Sequence, residues 1–330
     1  MPNVLCLTPC GATHPSVRLR LFPFIEEAKA RGGDIQWLQC PDAALKRLAF
    51  CARLPRVRTI VLHRMLPSSM ELRVLRSRCQ RLVVDLDEAL WTAHPSQGDI
   101  APKQADRRLR RLLKTCAAAQ LVIAGTPFLA ETVEGVSSSC LMLPTPVDTS
   151  VYVPPAQRKR RGRPVVGWMG TTRNQYTLPD LFTDLTPAAP LVRVLVVSGE
   201  EYVPPEEFDG DFAPWSEERE VELLQSMDIG LMPMPNSEYT RGKCPVRLMQ
   251  YMACGVVPVA SDVGFNRDVI THGRDGFLAQ TPDDFAEFVG LLARENDLRS
   301  EMAQRAREKV QRRFDTAIAS RELWHAMDNL

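Results

Sequence analysis

Short, continuous apolar runs alternate with longer stretches of helical periodicity along the chain. The runs are rich in Val, Ile and Leu and are apolar at nearly every position, so they predict strands that are buried on both faces. Such strands occur in parallel sheets that carry helices on each side, with right-handed crossovers between strands. The pattern therefore predicts a doubly wound α/β fold.

Six strands are predicted in the first half of the chain and five in the second. The first set comprises residues 3–7, 35–39, 59–63, 81–85, 120–124 and 140–143. The second set comprises residues 165–169, 192–198, 229–232, 256–260 and 277–279. Amphipathic helices are predicted between them, for example over residues 16–31 and 106–119, and the chain closes with helices over 297–312 and 316–327.

The pattern restarts after residues 152–164, which contain three prolines and a run of cations. A chain of 330 residues is also too long to fold around a single hydrophobic core. We therefore expect two Rossmann-like domains that face a cleft, an N-terminal one over 1–154 and a C-terminal one over 164–312. Residues 155–163 form the predicted linker, and a helix at about 313–330 is expected to end the chain, with packing against the first domain as one option.

Cations are concentrated in two places, although the formal net charge is only +1. Residues 103–114 carry six cations and one anion, and residues 158–163 are almost wholly basic. The balanced total argues against nucleic acid as a partner. The basic runs leave two alternatives, a solvated helix face and linker, or contact with anionic lipid or a phosphorylated acceptor.

The nine cysteines form no C-x-x-C pair and are odd in number, which indicates reduced thiols in a cytoplasmic protein. Neither a signal peptide nor an apolar run of membrane-spanning length is recognisable. The five histidines show no H-x-x-x-H or H-E-x-x-H spacing, so no metal is expected.

The helix predicted over residues 245–254 follows a Gly-Lys pair, begins with proline and ends before Gly255. Lys243 stands just before its N-terminus, where free N–H groups and the helix macrodipole favour an anion. With Arg241 and Arg247 nearby in sequence, this arrangement predicts a diphosphate site. The alternative is a surface lysine and a salt-bridged arginine.

Other polar side chains follow predicted strands. Gly170 ends a buried strand, and it either lets the backbone approach a ligand or simply makes a turn. Asp85, Asp87 and Glu88 follow the fourth strand and suit metal binding, acid–base catalysis or the capping of helix N-termini. His14 lies in the loop after the first strand, at the expected edge of the cleft.

Taken together, these segments resemble family 4-like glycosyltransferases of the GT-B fold. The strongest agreement lies in the second half, over residues 228–235, 241–245, 250–264 and 273–279. The first half agrees more loosely, over residues 17–20, 85–91, 124–130 and 143–148.

The resemblance implies a hexosyltransferase-like enzyme that takes a sugar from a nucleotide-diphosphate sugar with retained anomeric configuration, without a metal or cofactor. The acceptor would be a glycan, a lipid-linked sugar or a small molecule. The implied catalytic residues, which face the diphosphate, are Lys243, Arg247 and Arg173. The implied donor-binding residues are Gly170, Thr171, Trp215, Gln250, Gly264, Phe265 and Asn266. On the acceptor side we expect Gly11, His14, Asp85 and Asp87.

The chain departs from this family at a pair of positions. The usual glutamates, eight residues apart, would fall on Gly242 and Gln250, and neither is acidic. A non-catalytic binding or scaffold subunit is therefore an alternative, and so is a nucleotide-sugar epimerase on the same fold. An epimerase would need acid–base side chains in the cleft, and no convincing pair of a histidine and a carboxylate is recognisable.

Overall fold

The computed structural model describes residues 3–157 and 162–330. Four residues of the predicted basic linker, 158–161, lie outside the described residues. Within the described chain, the structure contains two six-stranded sheets, and every strand pairs in parallel with its neighbours. The predicted doubly wound α/β fold is confirmed.

The first sheet and its connections follow the predicted order. The elements are β1 (Val4–Thr8), α1 (Phe22–Ala30), β2 (Ile35–Gln39), α2 (Ala44–Arg53), β3 (Val57–His63), α3 (Ser69–Arg78), β4 (Cys79–Leu86), α4 (Pro102–Ala117), β5 (Leu121–Ala124), α5 (Pro127–Val133) and β6 (Cys140–Met142). The spatial order of the strands is β2-β1-β3-β4-β5-β6.

The second sheet is built in the same way. Its half of the chain contains β7 (Val165–Met169), α6 (Leu178–Leu185), β8 (Arg193–Ser198), β9 (Gly210–Pro214), α7 (Glu220–Gln225), β10 (Ile229–Met232), α8 (Glu238–Arg241), α9 (Val246–Ala253), β11 (Val257–Ser261), α10 (Asn266–Val269), β12 (Phe277–Ala279), α11 (Pro282–Arg294), α12 (Asn296–Arg313) and α13 (Thr316–Asp328). The spatial order is β12-β11-β10-β7-β8-β9.

Several element bounds differ from the sequence prediction, and two differences concern β9 and α9. Strand β9 has no counterpart in the predicted set, because it is a partly exposed edge strand without a continuous apolar run. Helix α9 begins at Val246, one residue later than predicted, and Pro245 occupies its N-cap position with φ −83° and ψ 59°, which is neither helical nor extended. Gly255 follows the helix with φ +69°, a conformation that suits glycine.

The chain forms two compact units that are not contiguous in sequence. Unit 1 comprises Met1–Pro146, Ser237–Cys244 and Thr316–Leu330, and unit 2 comprises Val147–Asn236 and Pro245–Asp315. Helices α8 and α13 therefore belong to unit 1, although they come late in the chain. No helix among the described residues is both long enough and apolar enough to cross a membrane.

Helices cover both faces of each sheet. In unit 1, helices α2 to α5 pack one face of the sheet, while α1 and α13 pack the other. In unit 2, one apolar core lies between the sheet and helices α6, α11 and α12, and Tyr251 of α9 packs against Gly230 of β10. Burial on both faces explains why the strands read as continuous apolar runs.

Candidate functional site

Gly170 directly follows the carboxyl end of β7 in unit 2. A Cβ atom on Gly170 would lie 2.5 Å from the indole ring of Trp168, so the close packing of that ring excludes any larger residue. Thr171 and Arg173 follow, both exposed, at the start of a short 3-10 helix over Thr172–Thr177. The strand end thus presents backbone, a hydroxyl and a cation to solvent.

Helix α9 is held against this strand end. The Tyr251 hydroxyl accepts the backbone N–H of Met169 at 2.8 Å, and burial raises the pKa of Tyr251 to about 12. Gly230 makes room for the tyrosine, since a Cβ there would lie 2.5 Å from its ring. One turn earlier, the Arg247 guanidinium lies 2.9 Å from the sulfur of Met169, so α9 brings Arg247 beside the residue that precedes Gly170.

A buried carboxylate, Glu220, joins this group from the first turn of α7. Arg247 donates to Glu220 Oε1 at 2.7 Å, and the Gln250 amide donates to the same oxygen at 3.4 Å. The Tyr152 hydroxyl donates to Glu220 Oε2 at 3.3 Å. Sequence reasoning missed Glu220, because a single glutamate at the start of a short helix carries no motif.

Gln250 is fully buried, and its amide oxygen has no hydrogen-bond partner among the described residues. The donation to Glu220 fixes which end of the amide is the nitrogen, so the oxygen is the end that remains for a ligand. A buried acceptor without a partner is costly unless something else satisfies it. An unpartnered, buried amide oxygen is the property expected of a side chain that accepts a hydrogen bond from a hydroxyl of a ligand.

The loop after β11 shows a similar pattern. Gly264 has φ +52°, and the Phe265 ring is buried edge-on against Phe314, with 6.3 Å between the ring centroids. Asn266 donates to the Ser261 carbonyl at 2.9 Å, and its own buried amide oxygen has no partner within the described chain. Trp215, after β9, is partly buried and donates its backbone N–H to the Ser198 carbonyl at 2.8 Å.

Lys243 lies in the segment Ser237–Cys244, which belongs to unit 1 and is anchored there by close contacts. The Thr145 N–H donates to the Cys244 sulfur at 3.2 Å. Gly242 is buried against Ala89, and a Cβ on it would lie 2.9 Å from both the Cβ and the backbone nitrogen of that alanine. The absence of a glutamate at Gly242 therefore has a steric reason, and Lys243 itself is partly exposed.

The two carboxylates predicted for the acceptor side, Asp85 and Asp87, lie in a buried charge network of unit 1. Arg20, which is fully buried, donates through Nη2 to Asp85 Oδ1 at 2.7 Å and through Nε to both oxygens at 3.0 Å. Its Nη1 donates to the Leu143 carbonyl at 3.0 Å. His63 lies on the other side of Asp85, with Nδ1 2.7 Å from Oδ2.

A second layer of the network continues from Asp87. Arg64 donates to Asp87 at 3.0 Å and also binds Glu88. The Tyr239 hydroxyl donates to Glu88 at 2.9 Å, which ties α8 to the network. Among the described non-glycine residues only Arg64 has a positive φ, at +52°, so the network holds its backbone in an unfavourable region. Ser16 bridges the layers, with contacts to Asp87 and, at 2.9 Å, to His63 Nε2.

These partners keep the carboxylates ionised. Burial alone would raise the pKa of Asp85, but the charge of Arg20 and the hydrogen bond from His63 outweigh it and hold that pKa far below the ordinary value. Burial would also raise the pKa of Asp87, but its neighbours, chiefly the charge of Arg64, lower it. Neither carboxylate caps a helix of the described chain. Residues 3–157 and 162–330 contain no group of three or more metal-ligating side chains close enough to hold a metal.

His14 and Gly11 lie beside this network in the loop after β1. Burial and the charge of Arg64 lower the pKa of His14, although two neighbouring carboxylates oppose the shift. The His14 Nδ1 accepts the Ser16 N–H at 3.2 Å. Gly11 is open, since a Cβ there would meet only the Gln39 side chain, at 3.7 Å.

Residues 163–295 match the family described as "Glycosyl transferases group 1". A relative from Dictyostelium discoideum, named GDP-Man:Man(3)GlcNAc(2)-PP-Dol alpha-1,2-mannosyltransferase, is 30% identical over 92 residues, which cover 28% of this chain and 17% of the relative. A relative from Campylobacter jejuni, named N,N'-diacetylbacillosaminyl-diphospho-undecaprenol alpha-1,3-N-acetylgalactosaminyltransferase, is 33% identical over 105 residues, covering 31% of this chain and 27% of the relative.

The whole chain is also similar to a solved structure, that of Anabaena HepE in complex with UDP and glucose. The TM-score is 0.73 with 14% identity, and the match covers 99% of this chain and 100% of that one. The curated relatives are matched over less than a third of their own length. The predicted resemblance is confirmed: the chain has the GT-B fold, and its residues 163–295 match the model of the group 1 glycosyltransferases.

Proposed function

We propose that the protein transfers a sugar from a nucleotide-diphosphate sugar to an acceptor, with retention of anomeric configuration and without a metal. The observation that carries the proposal is the match of residues 163–295 to group 1 glycosyltransferases. The donor would bind at the carboxyl edge of the sheet in unit 2, beside Gly170, Arg247 and Gln250. HepE, which shares the fold, was solved with UDP and glucose bound.

The chemistry proposed for this edge is electrostatic. When the bond between sugar and phosphate breaks, the sugar gains oxocarbenium character and negative charge grows on the departing diphosphate. Fixed cations stabilise that charge more in the transition state than in the ground state, and this difference accelerates the reaction. We assign this role to Arg173, with Arg247 as a contributor whose charge is already shared with Glu220. Lys243 is assigned to the diphosphate from its place in the sequence alone, just before α9.

Gln250 and Glu220 replace the missing acidic side chain in our proposal. The unpartnered Gln250 oxygen would accept a hydroxyl of the donor, while Glu220 holds the amide in the orientation that exposes this oxygen. A glutamate at position 250 would place a second carboxylate about 3.4 Å from Glu220, where like charges repel. The exchange of Glu for Gln is thus coupled to the presence of Glu220.

For the acceptor, we propose a lipid-linked sugar. The names of both curated relatives contain a lipid diphosphate, PP-Dol in one and diphospho-undecaprenol in the other. In this chain the acceptor would meet unit 1 near Gly11 and His14, with Asp85 and Asp87 holding the surrounding loops. The protein would then work in the cytoplasm, peripherally at the inner face of a membrane.

A donor panel tests the proposal. The protein is incubated with UDP-, GDP-, ADP- and dTDP-sugars, and nucleotide binding and release are followed with and without EDTA. We expect one donor to be hydrolysed slowly without acceptor and turned over faster with a lipid-linked acceptor, and EDTA to have no effect. The anomeric configuration of the product is read by NMR.

Other results would contradict the proposal in distinct ways. Binding without turnover under any condition would favour a scaffold subunit, which the missing acids at Gly242 and Gln250 motivate. Conversion of the donor into its epimer would favour an epimerase. A product of inverted anomeric configuration would overturn the proposed retention. Loss of turnover in EDTA would overturn the proposed independence from metal.

A further inference from the structure

Helices α2, α3 and α4 of unit 1 carry a large excess of positive charge. They pack side by side on one face of the first sheet and share its apolar core. Their sequences contain twelve Lys and Arg and only two acids, Glu71 and Asp106. The whole chain has a net charge of only +1, so the excess on these three helices is offset by acids elsewhere in the chain. Concentration of charge on three neighbouring helices indicates a purpose other than general solubility.

The twelve cations divide into two groups. Four are partly buried and bind protein acceptors: Arg47 binds Glu71, Arg76 binds Gln120, Arg78 binds the Ala52 carbonyl and Arg108 binds the Thr92 carbonyl. Eight are exposed, namely Lys46, Arg53, Arg73, Lys103, Arg107, Arg110, Arg111 and Lys114. None of these eight is in a salt bridge with another described residue, so their charges face solvent.

Helix α4 arranges its exposed cations in a stripe. Its exposed cations are related by spacings of three, four and seven residues, which places them along one side of the helix. They are Lys103, Arg107, Arg110, Arg111 and Lys114. The opposite side contributes Leu112 and Cys116 to the core. From Lys103 to Lys114 the stripe is about 16 Å long, at 1.5 Å per residue.

Two exposed apolar side chains lie on the neighbouring helices α2 and α3. Leu45 is 84% exposed and Met70 is 58% exposed, at the beginnings of α2 and α3. Two bonds join the first turns of the helices that carry them to each other and to α4. Arg47 binds Glu71 at 2.7 Å, which joins the first turns of α2 and α3, and Lys114 donates to the Ser69 hydroxyl at 2.9 Å, which joins α4 to α3.

We propose that this surface, formed by the α4 stripe together with Leu45 and Met70, docks unit 1 onto a bilayer that contains anionic phospholipid. A row of solvated cations draws the protein to anionic headgroups, and each cation near such a surface contributes to binding. Leu45 and Met70 then enter the boundary between headgroups and acyl chains. An acidic protein or a nucleic acid would explain the cations but would leave the two exposed apolar side chains without a role.

Vesicle co-sedimentation without any nucleotide or sugar tests the surface. The full chain is mixed with vesicles of phosphatidylcholine alone or with added phosphatidylglycerol, at low and at high salt. We expect binding only when phosphatidylglycerol is present and partial release at high salt. The variant K103Q/R107Q/R110Q/R111Q should bind these vesicles at least about tenfold more weakly.

A matched variant separates position from total charge. R274Q/R294Q/R305Q/R312Q removes four exposed arginines from unit 2 and changes the net charge equally, and it should bind like the wild type. L45S/M70S should still be drawn to anionic vesicles at low salt but should be released more completely at high salt. Circular dichroism melts check that each variant is folded.

Three results would overturn the proposal: equal binding to neutral and anionic vesicles, equal loss in both charge-removing variants, or tight binding of a polyanion such as heparin with no binding to vesicles. Because the assay contains no donor, it is independent of the proposed sugar transfer. A protein that binds anionic vesicles but no nucleotide sugar would retain the docking surface and lose the proposed function.

Discussion

Arg20 and Asp85 form a buried ion pair near the carboxyl end of β4 in unit 1, with Arg20 Nη2 2.7 Å from Asp85 Oδ1. They are 65 residues apart, one in the helical turn after the first loop and the other near the end of β4. The pair fixes the loop that carries Gly11 and His14 relative to the sheet. The buried charge network of unit 1 is therefore centred on this contact.

Replacement of Arg20 by methionine should lower the free energy of unfolding by about 3–5 kcal/mol, because Asp85 would remain buried without its main countercharge. Chemical denaturation followed by circular dichroism measures the change. Arg31→Met is the matched control, since the exposed pair of Arg31 with Glu27 should contribute less than about 0.5 kcal/mol. Equal effects of the two variants would contradict a stabilising role for the buried pair.

Acid should destabilise unit 1 through the same carboxylates. The folded-state pKa values of Asp85 and Asp87 are lowered, so their contribution is complete above the unfolded value of about 3.9 and is lost as the pH falls below it. Thermal melts from pH 7 down to pH 3 should show this loss. Asp85→Asn should be less stable at pH 7 and should lose less stability in acid. If the melting temperatures of the wild type and of Asp85→Asn fell equally as the pH is lowered, Asp85 would not be a source of the acid destabilisation.

Gly242→Ala should destabilise the protein by about 1–3 kcal/mol, because its Cβ would overlap with Ala89. Gly11→Ala is the control, since its Cβ would make only an ordinary contact with Gln39. Denaturant unfolding compares the two. If Gly242→Ala were as stable as the control, packing would not explain the absence of a glutamate there.

Lys243→Ala should weaken binding of the nucleoside diphosphate selected by the donor panel at least about tenfold, through the loss of a charge-assisted bond. Isothermal titration calorimetry gives the dissociation constant. Lys46→Ala removes an exposed lysine of the same unit and should leave the constant unchanged. Unchanged binding by Lys243→Ala would remove this lysine from the donor site.

Gln250→Glu should bind the nucleotide more weakly, and the defect should grow as the pH rises, because two ionised carboxylates would then stand side by side. Wild type should show no such trend. The double variant E220Q/Q250E restores one carboxylate and one amide, and it should recover most of the affinity. Failure of the double variant to recover would show that Glu220 and Gln250 do not act as a pair.

The strands of both sheets were largely predictable because short, continuous apolar runs are typical of strands that are buried on both faces. Val165–Met169 and Ile229–Met232 agree with the prediction to the residue. Strand β9 could not be predicted in this way, because an edge strand with exposed residues has no such run. Local periodicity cannot find a strand that is defined mainly by pairing with its neighbour β8 and contributes only Phe212 to the apolar core.

The polar network was predictable only in part, because its members come together from distant parts of the chain. Asp85 and Asp87 stood out because they lie at the end of a strand, yet their partners Arg20, His63 and Arg64 come from a helical turn, another strand and a loop. Glu220 reaches Arg247 and Gln250 across 27 and 30 residues of sequence. Contacts of this kind depend on which strand ends meet, and a single sequence contains no signal for that.

The late position of α13 affects how the protein is made. Its Ala319, Leu323 and Met327 complete the apolar layer that covers one face of the first sheet. The first segment of unit 1 ends at Pro146, and α13 begins at Thr316. At about 5–20 residues per second, a ribosome needs on the order of ten to thirty seconds to make the residues between these positions. During that time the nascent first sheet exposes an apolar face, which makes it a substrate for chaperones until the last helix emerges.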